Sequence, residues 1–253
     1  NLLEWLDLVA LGTVCDLVPL RGLNRAFVSQ GLKVAHRRKN VGIAALSEIA
    51  KIDEKINCYH IGFLIGPRIN AGGRIGESSL GSNILIADDK IEAQSYAAKL
   101  DFLNRERQKI EQHVFVEAND QIVKAGKDKA ALALASSDWH PGVLGIVASR
   151  LKEIYNKPVC LFSIDKKTAK GSGRSVSGFD LGSTVIAARQ KGLLSNGGGH
   201  AMAAGMTIDV NKIKEFEDHL ISSFLKSGES EGEGEYYIDG ILEEETPDNN
   251  NGS

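Results

Sequence analysis

Long apolar runs are missing from this 253-residue sequence. No run approaches the ~20 residues that a membrane-spanning helix needs. Glu4 follows Leu2 and Leu3 at once, so no signal peptide is visible at the start of the chain. The sequence therefore predicts a cytoplasmic protein with no membrane partner.

Cysteine is scarce as well. The three cysteines, Cys15, Cys58 and Cys160, are far apart and form no C-x-x-C pair. They fit neither a disulfide framework nor a structural zinc site. We expect each of them to be a small buried apolar residue in a reducing compartment.

An excess of positive charge is also absent, since 30 Lys and Arg face 33 Asp and Glu and the net charge is −3. Bulk charge gives no signal for nucleic acid, so any such binding has to come from a local cluster. The acidic residues concentrate between Glu229 and Glu245, which leaves the rest of the chain closer to neutral or basic. Nucleic acid is not excluded.

The composition is that of a globular protein, with 42% hydrophobic and 25% charged residues. The chain begins with Asn inside an apolar pattern, which predicts a piece of a longer polypeptide. Asp88 and Asp89 are suited to cap a helix that runs to about Lys124, long enough to connect two lobes. We predict four segments: an opening domain at 1–87, a connecting helix at 88–125, a second domain at 126–227 and a linker with the start of another domain at 228–253.

Strand and helix patterns alternate in the second domain and predict an α/β fold. The predicted strands are 130–135, 158–164, 171–176 and 203–208, and the predicted helices are 143–155, 181–190 and 211–225. In the opening domain, 5–18 reads as a helix or a strand, and 24–37 and 41–49 read as helices.

The segment from Asn196 to His200 carries three successive glycines, Gly197, Gly198 and Gly199, before the histidine. Such a run can bring backbone N–H groups close to an anion, and His200 can donate to a phosphate oxygen or act as an acid. We expect a phosphate-contacting loop here, with a plain turn as the alternative.

Two further segments of the second domain have related chemistry. His140 stands at the end of a predicted strand, just before a helix, where α/β sheets place ligand contacts. Ser172 and Arg174 lie among small residues, which suits the approach of a phosphate to an arginine fork. Each segment alone also fits an ordinary surface, but three of them in one domain favour a phosphate ligand.

In the opening domain, Arg68, Asn70 and Arg74 lie in one glycine-rich stretch that we predict to be a loop. Two arginines without acids beside them in sequence favour an anion site. Asp16 follows an apolar segment and fits a helix cap as well as a metal ligand. The sequence offers no D-x-D, D-H-H or H-x-x-x-H motif, so one or two acids here cannot form a two-metal site.

Taken together, these segments resemble the RecJ family of single-strand-specific exonucleases in the DHH phosphoesterase superfamily. They fall in the family's order and cover residues from about 5 to 225. The matching stretches are D-L-V-A-L-G-T-V-C-D-L-V-P-L at 7–20, G-P-R-I-N-A-G-G-R at 66–74, W-H-P-G-V-L-G-I-V-A-S-R-L at 139–151, G-S-G-R-S at 171–175, G-F-D-L at 178–181 and G-G-G-H-A-M-A-A-G at 197–205.

The resemblance implies the end of a DHH domain with a parallel sheet, a long connecting helix and a mixed α/β DHH-associated domain. It implies that Asp16 is a metal ligand for Mn²⁺ or Mg²⁺, which activates water to degrade single-stranded DNA from the 5′ end in repair and recombination. It also implies substrate-strand contacts, which the family's pattern places at Arg68, Asn70, Arg74, His140, Ser172, Arg174 and the 197–200 segment, with His200 and Asp16 as catalytic residues.

The chain departs from the family pattern, because its D-x-D and D-H-H motifs would precede Asn1. An OB-fold domain would follow, with 236–242 as the candidate for its first strand. We therefore expect this polypeptide alone to lack nuclease activity. A non-catalytic nucleic-acid-binding or scaffold module, and a phosphodiesterase for oligonucleotides or cyclic dinucleotides, stay open as alternatives. Helicase or single-strand-binding-protein partners are not readable from the sequence.

Overall fold

The computed structural model describes residues 2–126 and 128–228. Its first part, residues 2–89, is the helical lobe and carries no strand among its described residues. A 3₁₀ turn at Leu2–Trp5 comes first and a π-helical turn at His60–Ile65 lies midway. The helices are α1 at Leu6–Cys15, α2 at Gly22–His36, α3 at Val41–Ile49, α4 at Gly66–Ile75 and α5 at Leu80–Ile86.

Three of these helices fall where the sequence predicted helices or left the choice between helix and strand open. The opening segment, which fitted a helix or a strand, is the helix α1, and it ends where Leu17 takes a left-handed φ of 54°. The predictions for 24–37 and 41–49 are confirmed by α2 and α3. Asn40 caps α3, since its side chain accepts a hydrogen bond from the amide of Ile43 at 2.9 Å.

The loop predicted at 66–74 is wrong, because this stretch forms α4. Pro67 occupies the first turn, where its fixed φ suits a helix and its missing N–H costs nothing. Two of the three glycines in α4 serve close packing instead of turns. A Cβ at Gly66 would lie 2.5 Å from the sulfur of Cys15, and a Cβ at Gly72 would lie 2.9 Å from the carbonyl oxygen of Glu77.

The long helix α6 spans Lys90–Ala125 and confirms the helix predicted to run to about Lys124. Its 36 residues extend about 54 Å at ~1.5 Å per residue. Asp89 caps it by accepting from the amide of Glu92 at 2.8 Å. The N-terminal half of α6 buries Ala97 and Leu100 in the core of the helical lobe, whereas the C-terminal half buries Val114 and Ile122 against the sheet.

Residues 128–228 form the sheet lobe and hold a five-stranded mixed sheet in the order β1-β2-β3-β5-β4. The first two strands are parallel and the other neighbours are antiparallel. The strands are β1 at Leu132–Ser136, β2 at Val159–Asp165, β3 at Thr168–Arg174, β4 at Leu194–His200 and β5 at Ala203–Asp209. The helices are α7 at Leu144–Tyr155, α8 at Leu181–Gln190 and α9 at Ile213–Lys226, with 3₁₀ turns at Pro141–Val143 and Val210–Lys212.

This arrangement confirms the predicted α/β fold, with one local error. The stretch at 196–200, expected to be a loop, belongs to the edge strand β4 and pairs with β5 through its backbone. A run of glycines does not favour a strand, but here the flanking strand β5 supplies the pairing and α8 packs beneath.

Different helices pack against the two faces of the sheet. On one face, Phe162, Leu181, Met206 and Phe216 form a core under α8 and α9. On the other face, α6 packs against β1 and α7 against β2 and β3, around a core that includes Trp139 and Leu161. The part of this second face that β5 and β4 form, together with the exposed start of β3, is left open beside α7.

The remaining predictions have mixed outcomes. Cys160 is buried, and burial raises the pKa of its thiol to about 12, but Cys15 and Cys58 are only half-buried. No helix in the described ranges is long and apolar enough to cross a membrane. The segment predicted as a strand at 236–242, with the rest of 229–253, lies outside the described residues. The four domain boundaries stay predictions.

Candidate nucleic-acid interface

The open sheet face carries most of the polar residues singled out in the second domain. Side chains two apart on a strand share a face, and paired residues on neighbouring strands share it too. The pairing register therefore aligns three rows across β3, β5 and β4. These rows are Arg174–Ala203–His200, Ser172–Gly205–Gly198 and Lys170–Thr207–Asn196.

Glycine forms the centre of this face. No described atom lies within 4 Å of the position that a Cβ would take at Gly198 or Gly205, so the space above both glycines is empty of protein atoms in the described residues. In contrast, a Cβ at Gly197 would lie 2.8 Å from Val185 in the core below. The hollow over the face has a volume of about 470 Å³ and is lined by Pro141, Lys170 and Asn196, among others. A ligand could therefore lie flat against the backbone here.

The entrance of α7 forms one wall of the hollow. His140 caps the short 3₁₀ turn before α7, because its Nδ1 accepts from the amide of Gly142 at 3.1 Å. A Cβ at Gly145 would lie 2.7 Å from Arg174 Nη2 and 3.0 Å from Ser172 Oγ. Arg174 also donates from Nη1 to Ser172 Oγ at 3.3 Å and to the carbonyl of Gly173 at 2.8 Å. These contacts hold the guanidinium at the edge of the open face.

The helical lobe meets this wall through Arg74. Its Nη1 donates to the carbonyl of Gly142 at 3.1 Å, and Gly142 packs directly on the carbonyl of Arg74. Partial burial lowers the pKa of Arg74, and the charges of Arg107 and Arg174 lower it further, while Glu111 acts in the opposite sense. Burial also lowers the pKa of Arg174. The charges of two arginines, from α6 and β3, thus both act on Arg74 of α4. We call Arg74, Arg107 and Arg174 the arginine cluster.

Arg107 was missed at the sequence level. It is held by Glu111 at 2.6 Å and Asn104 at 3.0 Å, and its Nε is the one buried side-chain polar atom in the described part of the chain that lacks a hydrogen-bond partner. A signal for it exists in the spacing. Asn104, Arg107 and Glu111 interrupt, at steps of three and four, the apolar stripe that runs from Leu100 to Val114.

The other two residues of the predicted arginine loop make no hydrogen bond to the α7 wall among the described residues. Arg68 is half-buried and turned toward α6, where its Nε lies 2.9 Å from Asp101. The expectation that these arginines lack acidic partners is therefore wrong for Arg68, because its partner is 33 residues away in sequence. Asn70 is exposed on α4. A substrate contact from Arg68 or Asn70 stays a prediction.

Asp16 lies at the C-terminal end of α1, exposed, with its backbone amide bonded to the carbonyl of Gly12 at 3.0 Å. Within residues 2–126 and 128–228, no three His, Cys, Asp or Glu side chains are grouped so that they could hold a metal ion. A divalent metal requires several oxygen ligands, so the described residues alone do not fit one. The metal and catalytic roles of Asp16, and the catalytic role of His200, stay predictions.

A larger hollow of about 590 Å³ lies in the helical lobe, lined by residues such as Trp5, Asp7 and Leu85. Its cation Lys39 is paired with Glu4 at 3.3 Å. In the arginine cluster Arg107 is paired with Glu111, but no carboxylate of the described residues forms an ion pair with Arg74 or Arg174, so the cluster and the open sheet face give the better anion site of the two.

The sequence matches a known domain family and several curated proteins. Residues 127–226 match the DHHA1 domain family. The chain is 39% identical over 245 residues to the single-stranded-DNA-specific exonuclease RecJ of Escherichia coli K12, covering 92% of this chain and 42% of that protein. It is 38% identical over 220 residues to the RecJ of Bacillus subtilis 168, covering 86% of this chain and 28% of that protein.

Solved structures show the same likeness. A crystal structure of RecJ in complex with Mg²⁺ from Thermus thermophilus superposes with a TM-score of 0.80 at 33% identity, covering 88% of this chain and 35% of that one. A crystal structure of exonuclease RecJ bound to manganese gives 0.74 at 34% identity, covering 88% of this chain and 55% of that one. The chain spans less than half the length of the curated relatives it matches here. It is thus homologous to the RecJ exonucleases over most of its length and contains a DHHA1 domain at residues 127–226.

Proposed function

We propose that the junction of the two lobes holds the phosphate backbone of single-stranded DNA. The chain would then be the substrate-holding part of a RecJ-type exonuclease, a metal-dependent hydrolase that degrades single strands in the 5′→3′ direction during DNA repair and recombination. The curated relatives are single-stranded-DNA-specific exonucleases, which supports this choice of substrate.

The arginine cluster is the observation that carries the proposal. Bringing like charges together costs free energy unless an anion lies between them. Glu111 forms an ion pair with Arg107, but no carboxylate of the described residues pairs with Arg74 or Arg174. Arginine suits a phosphate because its planar fork can donate two parallel hydrogen bonds. Because α4, α6 and β3 each contribute one arginine, the site forms only when both lobes are in place.

The open sheet face extends the site away from the arginine cluster. Arg174 and His200 lie in one row on either side of Ala203, so their backbones are about 10 Å apart at ~4.8 Å per strand. Lys170 and Asn196 stand two rows further along the same face. Polar and cationic groups therefore border a glycine floor, which suits a backbone that passes over it. His140 and Ser172 would add donors at the α7 wall.

A metal is part of the proposed reaction but not of the described site. The relatives' structures are in complex with Mg²⁺ or Mn²⁺, ions that would activate the attacking water in an enzyme of this kind. Asp16, the ligand that the resemblance indicates, is a lone exposed carboxylate among the described residues. It needs further ligands to bind such an ion.

Salt dependence of binding tests the proposed substrate. Removing one phosphate contact to a single strand should reduce the slope of log affinity against log salt by about 0.7. Arg174→Ala should therefore weaken binding of a labelled oligo-dT and flatten this slope in a fluorescence anisotropy titration. Lys166→Ala, a cation in the turn between β2 and β3, is the matched control and should change neither quantity. An unchanged slope in Arg174→Ala would refute the proposal.

A non-catalytic binding module is the second candidate, and one observation favours it. The described residues give no metal-binding group of three side chains, whereas the arginine cluster is intact. We expect the purified chain to bind single strands but not to digest them with Mn²⁺ or Mg²⁺, since Asp16 does not hold a metal pair unaided. Metal-dependent digestion by residues 1–253 would exclude the binding module and show that this polypeptide holds its own metal.

A further inference from the structure

Two exposed aromatic rings lie on the helical run that leads into α4. Tyr59 and Phe63 stack on each other, with ring centroids 5.2 Å apart and an interplanar angle of 28°. Their residues are 60% and 69% exposed. Large exposed rings cost free energy in water, so a stacked pair on the surface marks a site where something else packs.

The position of this pair relates it to the arginine cluster. A Cβ at Gly62 or at Gly66 would approach the C-terminal end of α1, at Val14 and Cys15 respectively. Gly62 and Gly66 therefore lie on the same face of this helical run. Phe63 and Pro67, each one residue later, lie together on the adjacent face.

From Pro67 the same face continues at steps of three and four residues to Asn70 and Arg74, which are both exposed. The aromatic pair and Arg74 thus lie at opposite ends of one helical stripe. The α-helical part of the stripe, from Pro67 to Arg74, is about 10 Å long at ~1.5 Å per residue, and Phe63 precedes it on the π-helical turn.

We propose that Tyr59 and Phe63 form a base-stacking platform for the single strand whose phosphates the arginine cluster holds. The inference rests on the proposed function and adds the recognition of bases to it. Unpaired bases expose their faces and stack readily on aromatic side chains, whatever their sequence. Bases within a duplex are already stacked on one another. The platform therefore adds affinity for single strands without requiring a particular sequence.

The positive charge at the Arg74 end of the stripe favours a nucleic acid as the ligand of this surface. The stripe runs from aromatic rings to a group of three arginines, an arrangement that complements a polyanion with flat apolar side groups. A second copy of the chain would have to place a compensating acidic surface opposite Arg74. Binding probes and the mass of the chain in solution separate these occupants.

Two labelled probes of equal length separate base stacking from phosphate binding. One is oligo-dT, and the other is an abasic strand that has the same phosphates but no bases. Phe63→Ala and Tyr59→Ala should each lower the affinity for oligo-dT roughly tenfold. Neither should change the affinity for the abasic strand or the salt slope. Phe63→Trp should retain binding, because tryptophan also offers a flat ring.

Phe102→Ala is the matched control, since Phe102 is 62% exposed but belongs to α6 and not to this stripe, and it should change neither affinity. Wild-type affinity of Phe63→Ala for oligo-dT would overturn the platform while leaving the proposed function standing. An equal loss for both probes would overturn it too, as would a concentration-dependent mass of the wild type that Phe63→Ala abolishes. If the wild-type chain bound neither probe, the proposed function itself would fail.

Discussion

Arg107 lies between the two lobes with its guanidinium bonded to Glu111 and Asn104, both on its own helix. Its side chain is 11% exposed and that of Glu111 is 19% exposed. Removing one partner of such a pair leaves the other charge poorly solvated, whereas replacing both with apolar side chains is often neutral. Stability and ligand binding can therefore be separated at this residue.

Arg107→Leu should destabilise the chain by about 3 kcal/mol, because Glu111 loses its cation. The double variant Arg107→Leu with Glu111→Leu should recover most of that loss. Both variants should still bind oligo-dT more weakly than wild type, since each lacks the third arginine of the cluster. Urea unfolding and anisotropy measure the two effects. Wild-type binding by the stable double variant would remove Arg107 from the site.

Glu217 gives a prediction on pH. This buried carboxylate of α9 accepts from Lys129 at 2.6 Å and from Lys214 at 2.8 Å. Burial raises its pKa, but the hydrogen bonds and charges of the two lysines outweigh burial, so the pKa of Glu217 is lower than usual. A lowered pKa contributes stability above the unfolded-state value of about 4.3. That stability is lost as the pH falls through the folded-state value.

Wild type should therefore lose more unfolding free energy than Glu217→Gln does when the pH is lowered from 6 to 3. At neutral pH the glutamine variant should be the less stable of the two, because both lysines then face a neutral amide. Urea titrations at several pH values report the difference. Parallel pH profiles for the two proteins would contradict this role of Glu217.

At the scale of the element, β4 has two glycines with opposite surroundings. Gly197 faces the core, where a Cβ would lie 2.8 Å from Val185 and 3.1 Å from Leu194, while Gly198 faces the open hollow. Gly197→Val should destabilise the chain by about 2 kcal/mol through overpacking.

Gly198→Val should leave the unfolding free energy within about 0.5 kcal/mol of wild type, as most surface substitutions do. It should nevertheless weaken binding of oligo-dT, since its side chain rises from the floor of the hollow. Gly197→Val thus lowers mainly the stability of the chain, and Gly198→Val lowers mainly its affinity for oligo-dT. Equal stability of the two would mean that the faces of β4 are assigned the wrong way round.

Most elements were predictable because their side chains repeat with a clear period. The helix α8 has the predicted bounds of 181–190, and α6 agrees within one residue at its C-terminal end. The errors fall at α4 and β4, where glycine was interpreted as a loop former. In both elements the glycines are needed for close packing or for an open face, which depend on neighbours distant in sequence.

The candidate site was predictable to a similar extent. The types of residue that bind a phosphate were visible in the sequence at His140, Ser172, Arg174 and 197–200. Their common face was not, because it depends on the register of three strands. The ion pair of Arg68 was not predictable either, since its partner Asp101 comes close only when α4 packs on α6.

At the scale of the whole molecule, the two lobes are in contact at Gly142 and Arg74, where there is no room for a side chain on Gly142. A Cβ at Gly142 would collide with the carbonyl of Arg74, whereas Gly73, one residue earlier in α4, has no described atom within 4 Å of its Cβ position. Gly142→Ala should therefore push the end of α4 away from the α7 wall and separate Arg74 from Arg174.

The expected result for Gly142→Ala is weaker binding of oligo-dT with a flatter salt slope, together with a loss of about 1–3 kcal/mol in urea unfolding, because backbone must shift to make room for the methyl group. Gly73→Ala is the control in the adjacent position and should stabilise α4 by up to about 1 kcal/mol without changing the affinity. If Gly142→Ala bound as tightly as wild type, the contact between the lobes would not set the distance within the arginine cluster.

The edge position of β4 has a consequence for behaviour at high concentration. An edge strand offers unpaired backbone groups to any other chain, and long edges rich in β-branched residues are the usual starting points of aggregation. Glycine has a low tendency to form such intermolecular strands. In addition, Arg189 donates to the carbonyl of Gly197 at 3.1 Å and so occupies one acceptor on this strand. The same glycines that leave a floor open for a ligand thus also help to keep the chain from polymerising through its own sheet.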